Sequence, residues 1–435
     1  MALSIQAIKG TQDVLPQQSY QLRFVENKLL EIAELYGFNE LRTPVFEHTE
    51  LFNRSVGDTT DVVQKEMYTF NDNGGRSISL RPEGTAGAAR AFLEHGMHNL
   101  PLPQKVSYIT SCYRYEKPQA GRLREFHQFG VECFGSDSPV ADAEVISLAK
   151  NCFDVLGVKN LSLEINSIGC PDCRKNYSNA LKEYFGSQSD ELCDTCKDRL
   201  QRNPMRILDC KSPVCKKICE NAPTVLEFLC DECKEHFEKV KKQLEALNIE
   251  YKVNPKIVRG LDYYTKTVFE FVSNDLGAQS TVCGGGRYDG LIEEIGGQPT
   301  PALGFGMGIE RLMLILQAQN IELPDSAGCT LYIAPMGEEA TLKANVLCDK
   351  VRQEGFCALT DLSGRGLKAQ MKYANKIGAK FTLVLGDEEI KSNKAKLKNM
   401  NDSTETEVEL NDNLVETIYN KNIELQFKQL QDSIE

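Results

Sequence analysis

The chain of 435 residues predicts an α+β fold rich in antiparallel strands, interrupted by a cysteine-rich helical insertion and followed by a small α/β unit. Three observations carry this. Residues 106–115 and 126–134 alternate like strands across a loop holding the turn residues Pro118 and Gly121. Residues 170–250 are dense in Cys and Lys and poor in branched apolar runs. From about residue 329 the pattern becomes βαβαβ.

The elements follow in order. Residues 17–37 read as an amphipathic helix, with Leu22, Val25, Leu29, Ile32 and Leu35 at three- and four-residue steps and Gly37 as its stop. In "SLRPEGTAGAARAFL" the backbone turns at Pro82, and Thr85 is a good N-cap for a helix of small residues. "LDYYTKTVFEFV" (261–272) is strand-like, and "CGGGRYDGLIEEIGG" reads as glycine turn, short helix and glycine stop. "PALGFGMGIERLMLIL" runs from a glycine-spaced strand into a helix starting near Glu310 and Arg311. "QNIELPDSAG" is the linker; after it come "CTLYIAP", a helix over 338–354, "FCALT", a helix over 366–377 and "KFTLVLG". The expected division is 1–169, an insertion at 170–250, 251–322, and 329–435.

Apolar residues at 41% and charged residues at 26% fit a globular protein. No apolar run approaches the roughly 18 residues of a membrane helix, and the first residues lack a stretch of signal-peptide length. No membrane partner is expected, and the expected compartment is the cytoplasm. The net charge of −12 makes one loop conspicuous. Between 114 and 124 it carries Arg114, Lys117, Arg122 and Arg124 against a single carboxylate, Glu116. A loop of that charge meets an anion.

On the 126–134 strand, Phe126, Gln128, Gly130, Glu132 and Phe134 share a face. The missing side chain at Gly130 leaves space where a small ligand could lie between Gln128 and Glu132; a solvated face with a glycine bulge reads equally well. Arg259, beside Gly260 at a strand mouth, could offer its planar fork to a phosphate or close an ion pair with Asp262. Gly304, Gly306 and Gly308 let a strand approach a flat ring, but Ile309 breaks the dinucleotide fingerprint. No GxxxxGK loop occurs, so any ATP would be held by arginines and metal ions. With five histidines, no Ser–His or Cys–His pairing stands out. Arginines, a carboxylate pocket and a glycine-lined strand together suit an acid activated by ATP.

These segments resemble the class II aminoacyl-tRNA synthetases, and among them the histidyl-tRNA synthetase family. "ELRTPVFEHTELF", with Pro44, is similar to the first class motif, "SYITSCYRYEKPQAGRLREFHQFGVECFG" to the second and "ALGFGMGIERLML" to the third. "RGLDYYTKTVFEF" and "GGGRYDGL" resemble the two segments peculiar to the histidine enzymes. The resemblance implies a class II catalytic domain on an antiparallel sheet, a C-terminal anticodon-binding domain, and a homodimer formed through the first motif. It implies ATP, L-histidine and tRNA(His) as partners, Mg²⁺ on the phosphates, and formation of histidyl-adenylate before transfer to the tRNA. Arg114 would contact the α-phosphate and Glu116 help place the adenine. Arg311 would lie along that ring, and Arg259 supply charge at the α-phosphate. Glu83, Thr85 and Gln128 would hold the histidine amino group, Glu132 and Tyr264 the imidazole nitrogens, with Gly84 and Tyr263 in the same site. Arg122 would meet the tRNA acceptor end. In the C-terminal unit, Lys368, Lys372 and Lys376 form one helical stripe for tRNA, unless it is simply a solvated face.

Two rival readings belong here. A paralogue of this synthetase serves as regulatory subunit of ATP phosphoribosyltransferase; its family generally lacks the C-terminal domain and degrades the segments that here keep Arg259, Tyr263 and Tyr264. A synthetase for threonine or proline would have no use for Glu132.

One feature lies outside the resemblance. Nine of the sixteen cysteines fall between Cys170 and Cys233. Three Cys-x-x-Cys pairs, Cys170/Cys173, Cys193/Cys196 and Cys230/Cys233, with Cys210 and Cys215, supply eight ligands, enough for two four-sulfur Zn²⁺ sites, Cys219 being left over. The spacing leaves the grouping open, and reduced thiols on small helices are the alternative. The metal would be structural, far from the adenylate, shaping a surface toward the tRNA acceptor arm.

Overall fold

In the computed structural model, which describes residues 5–57, 60–208, 210, 212–257, 259, 261–273, 275, 281–325 and 328–432, the chain forms two units, Met1–Leu323 and Pro324–Glu435. Gly260 lies outside the described residues.

The larger unit is built on an eight-stranded sheet. Its order is 39–40, 104–113, 125–134, 302–308, 281–287, 265–273, 161–167, 252–253. The six inner strands pair antiparallel, and a two-residue strand pairs parallel at each edge. Strand alternation then divides the labour. Phe129, Val131 and Cys133 enter a core with Val25 and Leu29 of helix Pro16–Leu35 and with Val145 and Ala149 of helix Pro139–Val155. Gln128, Gly130 and Glu132 face the other way.

The first helix buries Val25, Leu29, Ile32 and Ala33, but Leu35 is exposed. The stripe advances by four from Leu29 to Ala33, which turns Leu35 outward, and Gly37 (φ 78°) follows the helix end. The expected place of Leu35 in the buried stripe is therefore corrected. The second correction concerns the helix Thr85–Glu94. Thr85 is its first residue rather than its cap, and the Glu83 carboxylate accepts from the backbone N–H of Thr85 (2.7 Å) and Ala86 (2.8 Å). A charged acceptor at a helix N-terminus does the capping better than a hydroxyl.

In the cysteine-rich stretch, helices Pro171–Gly186, Asp194–Arg202 and Pro213–Cys219 share a small core of Leu181, Phe185, Ile207 and cysteines. Its last helix, Asp231–Ala246, sends Phe237, Val240 and Leu244 into the main core instead. A buried ionic group fastens that helix. Asp142 pairs with Arg287 at 2.7 Å and accepts from His236 Nε2 at 3.3 Å, while Arg287 also donates to the carbonyls of Ser136 and Ser138.

The second unit has a five-stranded sheet, ordered 358–360, 331–335, 381–385, 394–399, 405–409. Its first three strands are parallel, as the βαβαβ pattern predicts; two antiparallel strands and the helix Asp412–Asp432 complete it.

Candidate active site

The face of the large sheet that carries Gln128 opens into a cavity of about 280 Å³, walled by Glu83, Arg114, Gln128, Arg259, Tyr263 and Arg311 among others. Residues from 62 to 311 meet there because strands 125–134, 302–308 and 281–287 lie side by side and the segments around Glu83, Arg114, Arg259 and Arg311 flank them.

The floor differs from the sequence expectation at Gly130. Tyr108, opposite Gly130 in register, lays its ring over that glycine, and a Cβ at Gly130 or Gly84 would overlap the ring. The gap is filled by protein, not left for a ligand. Tyr108 Oη donates to Glu132 Oε1 at 2.7 Å, and Tyr288 donates to Oε2 through a shorter bond. Glu132 therefore has no exposed surface and does not line the cavity. Burial pushes its pKa up to about 8, the two tyrosine hydrogen bonds offsetting only part of that cost. The glycine-spaced strand has a second use. A Cβ at Gly304 would overlap the Glu132 carboxylate and one at Gly306 the Gln128 amide, so these glycines also make room for polar side chains. Gly308 and Gly306 do reach the cavity wall.

The cations are held by backbone and rings. Arg114 donates from Nε to Pro82 O (2.8 Å), and its guanidinium lies 5.3 Å from the Phe126 ring centre. Glu116 takes Arg122 at 3.0 Å and stands 3.9 Å from Arg114. Arg311 Nε donates to Gly121 O at 3.0 Å, tying the basic loop to the helix Ile309–Ala318. Arg259 pairs with Glu270 and lies 5.1 Å from the Tyr264 ring centre, whereas Asp262 pairs with Arg206 at 3.0 Å. A Cβ at Gly284 would overlap the Arg259 guanidinium. Arg259 Nε is buried and has no acceptor among the described residues, so a donor is available to an anion. Glu83 is buried, and its pKa is raised by desolvation despite the N–H groups of Ala86 and Thr85.

Sequence reasoning missed several members. Tyr108 and Tyr288 hold Glu132, Glu270 holds Arg259, and His127 bonds Glu310 at the cavity wall (Nδ1 to Oε1 2.8 Å). The Glu310 hydrogen bond raises the His127 pKa against the effect of burial. A glycine in an alternating strand beside a tyrosine-bearing one is a signal for such filling, but it needs the register.

Elsewhere, Lys368, Lys372 and Lys376 are exposed on the helix Leu367–Lys376. The insertion's thiols gather in two groups, Cys170, Cys173, Cys230, Cys233 and Cys193, Cys196, Cys210, Cys215. Within each, the sulfur atoms lie within 4.8 Å of one another. Cys219 stands outside both and donates to Ile207 O at 3.4 Å.

A family model described as histidyl-tRNA synthetase matches residues 10–173 and 213–312. The histidine–tRNA ligase of Caldanaerobacter subterraneus subsp. tengcongensis is 58% identical over 402 residues, 92% of this chain and 96% of that protein. The chain belongs to the histidyl-tRNA synthetase family. The corresponding ligase of Clostridium novyi is 57% identical, over 94% of this chain and 97% of its own length. The crystal structure of apo S. aureus histidyl-tRNA synthetase superposes with a TM-score of 0.82 at 40% identity, covering 95% of this chain and 99% of that one. A model described as an anticodon binding domain matches residues 330–421, within the second unit. The histidyl-tRNA synthetase match leaves out residues 174–212.

Proposed function

We propose that this chain is a histidine–tRNA ligase whose cavity activates L-histidine with ATP and then passes the aminoacyl group to tRNA(His). A histidine carboxylate oxygen attacks the α-phosphorus and pyrophosphate leaves. The terminal ribose hydroxyl of the tRNA then attacks the acyl carbon and AMP leaves. The observation that carries this reading is the convergence of Arg114, Arg259 and Arg311 on one cavity with the buried carboxyl of Glu83. Fixed cations stabilise the charge that develops at a phosphoryl centre without needing a nucleophilic side chain.

Arg259, with a buried donor lacking a protein acceptor, is assigned to the α-phosphate together with Arg114. Arg311 and Glu116 are assigned to the adenine end. Glu83, Thr85 and Gln128 are assigned to the histidine amino group, with Gly84 and Tyr263 beside them. Tyr264 and Glu132 are assigned to the imidazole; because Tyr108 and Tyr288 occupy both Glu132 oxygens, that contact requires one of those bonds to exchange. The arginine-lined wall fits ATP, and Mg²⁺ bound with it would neutralise phosphate charge.

Arg122 is assigned to the acceptor end, and Lys368 and Lys372 to the tRNA at the anticodon-binding domain. A homodimer through the segment of Pro44 is supported by Phe46 and Phe70, exposed on the sheet of strands 46–48, 77–80 and 69–71. A reducing cytoplasm suits a chain whose sixteen cysteines form no disulfide. Among the described residues no helix is long and apolar enough to cross a membrane.

The test is ATP–pyrophosphate exchange with each amino acid in turn. Histidine alone should support it, by up to roughly 10⁴-fold over others, since buried polar groups that lose their partner discriminate strongly. Equal exchange with threonine or proline would overturn the assignment, and exchange at background with every amino acid would return the regulatory reading.

A further inference from the structure

We propose that the insertion holds two structural zinc ions, one bound by Cys170, Cys173, Cys230 and Cys233 and the other by Cys193, Cys196, Cys210 and Cys215, and that the first clamps the insertion's entry to its exit. A local device repeats three times in the insertion. Cys170, Cys193 and Cys230 each stand at the N-cap of a helix, and Cys173, Cys196 and Cys233 each fall in the following turn. Two sulfurs presented from one helix start can grip one ion, and the fold then brings a second pair to each.

The spacing of the sulfurs favours an ion over a disulfide. A tetrahedral zinc with bonds of about 2.3 Å places its sulfurs roughly 3.8 Å apart. Cys170 and Cys173 stand at 3.6 Å and Cys193 and Cys210 at 3.8 Å. The backbone is arranged for thiolate as well. The N–H of Cys230 points at Cys173 Sγ (3.1 Å), that of Cys193 at Cys215 Sγ (3.4 Å) and that of Ser212 at Cys210 Sγ (3.4 Å). Donors onto sulfur are what the outer shell of a thiolate-bound metal supplies. Gly169 (φ 71°) precedes the first cluster with no room for a Cβ beside Cys173. The core between the two clusters is small, so an ion would contribute to folding directly.

The first cluster also reaches the catalytic segment. Gly169 O accepts the N–H of Lys266, and Arg174 Nη1 donates to Asp262 O at 3.2 Å, while Arg206, four residues before Cys210 of the second cluster, pairs with the Asp262 carboxylate. Asp262 lies three residues from Arg259 and two from Tyr264. The metal's influence therefore extends to the segment assigned to the α-phosphate, beyond the tRNA-facing surface that the spacing alone suggests; this part rests on the proposed function.

Full-length protein purified without added metal should contain close to two zinc ions per chain by elemental analysis. Cys230→Ser/Cys233→Ser and Cys193→Ser/Cys196→Ser should each lower this to one. The cobalt-loaded wild-type chain should show the intense sulfur-to-metal charge transfer of four-thiolate sites, a reading that needs no variant to fold. Zinc near zero with eight additional reactive thiols overturns the proposal, as does a content that stays at two in either double variant. On zinc removal, hydrogen exchange should rise at 261–264 as well as in the insertion; unchanged protection there overturns the clamp while leaving the proposed activity standing.

Discussion

Arg259 is held from three sides, by the Glu270 carboxylate, the Tyr264 ring and the backbone at Gly284. Arg259→Ala should lower histidine-dependent pyrophosphate exchange by about 10²-fold or more with a native circular dichroism spectrum. Arg259→Lys should recover only part, since an ammonium cannot offer two donors in one plane. Exchange at the wild-type rate in Arg259→Ala would remove the residue from the chemistry. Glu132 supports a pH prediction. Its folded pKa of about 8 lies above that of an unfolded glutamate, so the native state binds the extra proton between those values. Its contribution is fully present at low pH and is lost as pH rises from roughly 4.5 through 8. Glu132→Gln should therefore show a shallower fall of Tm over that range than wild type; an unchanged slope would mean that the carboxyl ionises freely. Gln128 and Glu132 could be placed on one face from the sequence because the period of a strand is two. That Tyr108 fills the space between them could not, because pairing register is a property of two strands.

Elements here are shaped by what their glycines admit. Gly130→Ala would drive a methyl into the Tyr108 ring and disturb its bond to Glu132. Overpacking of this kind costs about 1–3 kcal/mol, readable as a lower urea midpoint, and Tyr108→Leu in the same chain should recover part of it. If Gly130→Ala unfolds at the wild-type midpoint, the ring is not packed as described. The helix Leu367–Lys376 exposes its lysine stripe, and Arg365 stacks on Tyr373, 4.3 Å from the ring centre. Lys368→Glu with Lys372→Glu should raise KM for tRNA and flatten its salt dependence, with pyrophosphate exchange unaffected. A salt slope identical to wild type would assign the stripe to solvent. Helices Pro16–Leu35, Glu338–Gln353 and Leu367–Lys376 and strands Gln104–Tyr113 and Glu125–Phe134 were legible from periodicity, with ends shifted by a residue or two; strand Thr281–Arg287, expected as a glycine turn, was not, because a run of glycines carries no alternation to read. The cap at Glu83 was not, because a carboxylate two residues ahead of a helix competes with a hydroxyl at its start, and local sequence does not rank them.

At the scale of the molecule, the buried Asp142–Arg287–His236 group joins helix Pro139–Val155, strand Thr281–Arg287 and helix Asp231–Ala246. Burial raises the Asp142 pKa, but Arg287 and His236 outweigh it and hold the carboxyl below its ordinary value. Arg287→Met should cost about 3–5 kcal/mol in chemical denaturation, because Asp142 would keep its charge in the interior without its main partner. A loss under 1 kcal/mol would mean that water or His236 compensates. Composition shifts outlined this organisation in the sequence; the docking of the insertion's last helix into the main core did not show, because Phe237, Val240 and Leu244 have the spacing of any amphipathic helix. The chain leaves the catalytic core at Cys170 and returns at Cys230, and those two points sit in one cluster of sulfur atoms. What is strung between them meets the core again through Arg206–Asp262 and Arg199–Asp61, but its two ends are already together, and doubling the length of such a loop costs only about 0.6 kcal/mol of closure entropy. Evolution, or an engineer, can therefore lengthen, trim or exchange that stretch while strands Leu161–Ser167 and Thr265–Ser273 keep their pairing.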